Sequence, residues 1–170
     1  MAVTTTEHSA IIDNIAASPP VLNDPGVYGG VVRRQIARVS IADNDDVGSI
    51  YRMFRVKSSD TVLSIKYFTA DTLTAMAADV GLYRTQADGG AVVDVDAYAS
   101  AASFATANVL AGVELAHEAR GVTVLGQKVW DDIASQTTDT KLSYDIAVTI
   151  TTQVTDPGTL TMVLEYIENN

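Results

Sequence analysis

Apolar and polar residues alternate through most of this chain. "TVLSIKYF" puts Leu63, Ile65 and Tyr67 on one face and Ser64 and Lys66 on the other, the period of two that marks a half-buried strand. "KLSYDIAVTITTQV" does the same with Leu142, Tyr144, Ile146, Val148 and Ile150, and "GTLTMVLEYIE" with Leu160, Met162, Leu164 and Tyr166. Five further segments read as strands: "VVRRQIARVSIA", "SIYRMFRV", "DVGLYRT", "AVVDVD" and "GVTVL". Polar turns separate most of them, at Asp43–Gly48, Ser58–Asp60 and Gln86–Gly90. Thr155-Asp156-Pro157-Gly158 reads as a hairpin connection between the last two strands.

Helical spacing is weaker. Tyr98, Ala101, Ala102 and Ala105 suggest one or two helical turns in "AYASAASFATA", and Val129, Trp130 and Ile133 suggest a helical face in "GQKVWDDIAS". "TADTLTAMAA" reads as an apolar loop or a short turn of helix. No long helical pattern lies between strands, so parallel βαβ units are not expected. The pattern predicts an all-β fold with minor helix: an antiparallel β-sandwich of jelly-roll type over residues 31–170, with a different Greek-key sandwich as the alternative.

Residues 1–30 break the alternation and hold three of the four prolines. Ile11, Ile12 and Ile15 share one face of a short predicted helix, which Pro19-Pro20 ends because the residue before proline avoids helical geometry. Asn23–Gly26 and Gly29-Gly30 are turn signals. The segment reads as an extended N-terminal arm with apolar anchors, able to reach roughly 100 Å if fully drawn out. The alternative is that it packs on its own body.

Composition narrows the possible functions. A chain of 170 residues with 47% apolar content suits one globular domain. A formal net charge of −10 disfavours nucleic acid and anionic membranes as partners. There is no cysteine, hence no disulfide or thiolate metal site. "MAVTTTEHSA" lacks the basic and apolar regions of a signal peptide, and the absence of cysteine suits synthesis in a reducing cytoplasm.

Candidate chemistry is thin. Asp88, Asp94 and Asp96 are the set available for a divalent ion, but a hairpin turning at Asp88-Gly89 accounts for them without one. Asp43, Asp45 and Gly48 match three positions of a calcium loop, yet Phe54 stands where the bidentate glutamate belongs. His117 lacks a nucleophile elbow and reads as a surface partner of Glu118. Asp131-Asp132, next to Lys128, reads as an exposed polar face. Tyr28, Tyr51, Tyr67 and Tyr83 suit a sugar-stacking groove or, more simply, the edges of a strand core. No enzymatic activity and no cofactor are expected.

Four stretches together carry a resemblance: "SPPVLNDPGVYGGVVRRQIARVSIA", "DVGSIYRMFRVKSSDTVLSI", "ADVGLYRTQADGGAVVDVDAYASA" and "YDIAVTITTQVTDPGTLTMVLEYI". They resemble the capsid cement or decoration proteins of tailed bacteriophages, a family of jelly-roll type, across most of 18–167. The resemblance implies a non-enzymatic virion protein, made in the host cytoplasm. It would bind the capsid exterior and clamp neighbouring major capsid protein subunits as a homo-oligomer, dimer or trimer. In that setting Ile11, Ile12, Ile15, Val21, Leu22 and Tyr28 are the expected anchors, with Arg33 and Arg34 as polar clamps. A carbohydrate- or receptor-binding sandwich on a tail or fibre is the second reading, and a hydrolase using His117 with an acid the third.

Overall fold

The computed structural model describes residues 8–43, 45–69, 73–106, 108–134 and 136–169, and no side chain at 108–110 or 122. After one short helix, α1 (Ala10–Ala16), the chain forms β1 (Val32–Ile41), β2 (Ile50–Lys57), β3 (Thr61–Thr69), β4 (Ala77–Arg84), β5 (Val92–Ser103), β6 (Asn108–Glu114), β7 (Ser143–Thr152) and β8 (Gly158–Ile167). They build two four-stranded sheets, β1-β8-β3-β6 and β2-β7-β4-β5, and every pairing is antiparallel. The predicted all-β sandwich is what the chain forms.

The inward residues of β7 and β8 are mostly those the alternation names, but Leu142 lies before β7 and is 37% exposed, and Tyr166 is only partly buried. Tyr144, Ile146, Val148 and Ile150 face Leu160, Met162 and Leu164 across the core, all at most 1% exposed. In β3 a register shift between Val62 and Ser64 inserts one residue, so Val62 enters the core and Leu63 stays half-buried. A strand bulge flips the face of everything on one side of it.

Four further expectations need correction. First, Thr155–Gly158 is not a hairpin. β7 lies between β2 and β4 while β8 lies between β1 and β3, so the connection crosses from one sheet to the other. Alternation shows which face of each strand is buried, but not which strand lies beside it.

Second, residues 98–103 are strand, not helix. Opposite Val80–Leu82 of β4, β5 uses Asp94–Ala99, several residues more than its partner. The bulge leaves Tyr98 and Ala99 consecutively buried, which breaks the period of two and imitates a helical spacing. Gly81 sits under this bulge. A Cβ there would lie 2.1 Å from the Asp94 carbonyl oxygen, so only glycine admits the approach.

Third, "GVTVL" is a 3₁₀ turn at Val122–Val124 between Gly121 and Gly126, both at positive φ. The strand on this side of the sheet is β6, seven residues that include Gly112, whose lack of a side chain weakens the strand pattern. Fourth, residues 126–134 of "GQKVWDDIAS" make consecutive turns and bends rather than a helix, and Ser135 lies outside the described residues. Val129 and Trp130 instead donate backbone N–H groups to Asp60 and Ser58 in the β2–β3 turn, at 2.9 and 3.0 Å. Of "TADTLTAMAA", residues 70–72 lie outside the described residues, and Leu73–Met76 close a turn with both end residues in the core.

Candidate contact surface and its supporting polar groups

The leading segment has two parts. Helix α1 carries seven residues and buries none of them. Its return is local: the Val21 N–H donates to the Asn14 carbonyl at 2.9 Å, and Asn14 Nδ2 to Asn23 Oδ1 at 2.8 Å. Residues 8–23 are thus doubled back on themselves rather than fully drawn out. Residues 24–30 then meet the sandwich. Asp24 pairs with Lys128 at 3.1 Å, Gly26 is buried, and Gly30 lies so close to Ile167 that a Cβ would come within 2.8 Å of its side chain.

The expected anchors fall into place along this path. Ile11 is half-buried, Ile12 and Ile15 are nearly half exposed, and Leu22 is 96% exposed. Ile15, Val21, Leu22 and Tyr28 line one shallow concavity between the helix and its return. An isolated helix this short has little stability in water, and its apolar face has no core of its own to cover it.

Arg33 and Arg34 do not act together. Adjacent strand residues point to opposite faces. Arg33 Nε approaches Glu168 at 3.5 Å, whereas Arg34 stands opposite Glu165 and shares its face with the exposed Ile36 and Arg38.

Several charged groups have roles the pattern did not show. Asp145, on the outer face of β7, is 4% exposed and receives Arg55 Nε at 2.7 Å and Arg52 Nη1 at 3.0 Å. Arg52 and Arg55 reach one carboxylate only because β2 shifts register between Arg52 and Phe54. Arg52 also bonds the carbonyls of Arg84 and Gly90 and lies over the Tyr83 ring, fixing the β4–β5 turn. An acid flanked by tyrosine and isoleucine in "SYDIAV" was the available signal.

Asp132 is the larger surprise. Its side chain is 1% exposed and meets Arg120, 4% exposed, at 3.0 Å. The expected exposed polar face is therefore half wrong: Asp131 is exposed, while Asp132 turns inward. Arg120 also lies over the Tyr98 ring at 5.4 Å and donates to the carbonyls of Val62 and Val124. His117 is likewise not a surface partner of Glu118. Its Nε2 lies 3.1 Å from the Leu63 carbonyl, and Glu118 accepts the Ser100 N–H at 2.6 Å.

Burial pushes the Asp132 carboxyl up to about 7, against the pull of the Arg120 guanidinium. An unfolded aspartate titrates near ~3.9, so between these values the folded state binds more protons and stability falls as pH rises. We expect the unfolding midpoint of the wild type to drop relative to that of Asp132→Asn as pH goes from 5 to 8. Asp24, Asp139 and Glu168, which are shifted downward, act at lower pH. A pH-independent difference in thermal melts would contradict this assignment.

The other candidate acids serve turns. The Asp45 carboxylate accepts the Ala42 N–H at 2.8 Å and the Tyr51 hydroxyl, and Asp88 bonds Thr85 in the β4–β5 connection. Asp94 accepts the Asp96 N–H at 3.4 Å. Among the described residues no three His, Asp or Glu side chains gather as metal ligands. No described helix is long and apolar enough to cross a membrane.

No protein-family model matches the chain, and no curated protein matches it in sequence. Solved structures do. A chain of the capsid of Ralstonia phage GP4 aligns over 81% of this chain and 86% of its own, at 12% identity and a TM-score of 0.49. A chain of the cyanophage Pam1 capsid asymmetric unit aligns over 99% of this chain and 94% of its own, at 11% identity and a TM-score of 0.54. This chain therefore shares its fold, over nearly its whole length, with a protein of a phage capsid.

Proposed function

We propose that the protein is a non-enzymatic component of a phage virion that sits on the capsid exterior and clamps neighbouring major capsid subunits. The observation that carries this reading is the leading segment: a helix that buries nothing, with a return whose Leu22 is 96% exposed. Apolar groups held in a defined shape, yet left in water, gain free energy only when another surface covers them.

The strand order supports a jelly roll. Six of the seven connections pass from one sheet to the other, and only β4 and β5 are joined within a sheet, the winding expected of a double Greek key. Such a body is rigid, and many copies on a closed shell turn modest individual contacts into firm attachment. Residues 8–23 are the capsid-binding element in this reading, and residues 24–30 belong to the body that holds it.

The test is co-sedimentation with shells of the corresponding capsid that lack this protein. The chain should pellet with them saturably, at a fixed ratio to the major capsid protein, and a reconstruction should place it outside. Failure to pellet, or density at a tail or fibre, would overturn the proposal.

A further inference from the structure

The two flanks of the sandwich carry opposite charge. β1 and β2 are edge strands of different sheets and lie against each other, with Gln35 Nε2 donating to the Arg55 carbonyl at 3.0 Å. Between them they hold Arg33, Arg34, Arg38, Arg52, Arg55 and Lys57 and no acid. β5 and β6 are the opposite edges, and the turn that follows β6 is held to β5 by the Ala119 N–H on the Tyr98 carbonyl. They hold Asp94, Asp96 and Glu114 and no base, with Glu118 just beyond. Asp145 and Glu168 offset part of the basic flank, but Arg34 and Arg38 stay exposed.

Apolar groups accompany both charges. Val32 and Ile36 are 54% and 62% exposed on the basic flank, and Val92 and Val113 are 56% and 36% exposed on the acidic one. β1 runs ten residues in unbroken register with β8. A long regular edge of this kind invites another strand, and its arginines discourage a second copy of itself because like charges would face each other.

We infer that copies of this chain associate head to tail, the basic β1/β2 flank of one against the acidic β5/β6 flank of the next. This goes beyond the proposed function, which concerns attachment to the capsid and not contacts between copies of this chain. Different surfaces meet in such a contact, so it closes into a ring of three or more copies or runs on as a filament, and it excludes a two-fold dimer. Charge complementarity sets the register.

The test uses the purified full chain without capsids, followed by sedimentation velocity. At low salt the wild type should form species of three or more copies. In 1 M salt, where screening acts within about 3 Å, association should weaken at least about tenfold. Arg34→Glu with Arg38→Glu should abolish it, as should Asp96→Lys with Glu118→Lys. Mixing these two variants should restore it, because each then offers the charge the other lacks.

Should the acidic-flank variant fail to fold, the Arg34→Glu/Arg38→Glu protein mixed with wild type should open wild-type rings or shorten wild-type filaments, because its intact acidic flank caps one end. A strictly monomeric wild type, a dimer limit, insensitivity to Arg34→Glu/Arg38→Glu, no rescue on mixing or no capping would each overturn the inference. With no capsid in the cell, these outcomes leave the co-sedimentation result untouched, and a failed co-sedimentation leaves them untouched.

Discussion

Deletion of residues 1–23 is expected to abolish retention on capsids while leaving the sandwich folded. The reason is where the energy lies. Each fully buried Val, Leu or Ile side chain contributes on the order of 1.5–3 kcal/mol. Ile12, Ile15, Val21 and Leu22 are each about half exposed or more, so covering them recovers a large part of that. Ordering costs reduce the sum, but a net loss of ~3 kcal/mol already weakens binding about 100-fold. The body loses little, because α1 buries nothing and its hydrogen bonds return to its own segment. Cutting after Asn23 keeps the Asp24–Lys128 pair and the buried Gly26 in place. The thermal midpoint should change by no more than a few degrees, and co-sedimentation should fall at least about 100-fold. Undiminished pelleting of the truncated chain would show that the sandwich itself holds the capsid.

The second large effect is expected at the buried ion pair. At pH 8, where the Asp132 carboxyl is ionised, Asp132→Ala should destabilise the fold by about 3–5 kcal/mol, the usual consequence of stranding a buried charge. For a chain of this size that corresponds to roughly 10 °C in thermal midpoint. Arg120→Ala should cost less, and the asymmetry is the informative part. Without Asp132, the guanidinium stays charged and keeps only the long contacts to the carbonyls of Val62 and Val124, at 3.4 and 3.3 Å, and the Tyr98 ring. Without Arg120, the carboxyl takes up a proton, as its upward shift already favours, and the buried charge disappears. The double replacement Arg120→Met with Asp132→Leu should recover most of the loss, since an apolar pair of similar volume carries no desolvation cost. Denaturant unfolding of the three variants measures all of this, and equal costs for the two alanine variants would refute the account.

Sequence and structure divide the explanation along a physical line. Alternation in "YDIAVTI" and "TLTMVLEY" determined the strands and their buried faces, because a period of two leaves no other way to hide Ile146, Val148, Leu160 and Met162. Composition determined the acidic surface, and the spacing of Ile11, Ile12 and Ile15 before Pro19-Pro20 determined α1. These are local properties, and a single segment carries them.

Tertiary structure decided whatever required two distant segments to meet. It moved β7 and β8 into different sheets, although Pro157 and the Gly158 that opens β8 make a turn signal at their junction. It bulged β5 against β4 so that a strand carried helical spacing. It also turned Asp132 inward onto Arg120 while leaving Asp131 outside. Partner choice depends on long-range packing energy shared among many residues, and no window of ten residues contains it. The opposed charges of the β1/β2 and β5/β6 flanks belong to the same class: each residue was visible in the chain, but only the order of strands in the two sheets put the bases at one side and the acids at the other.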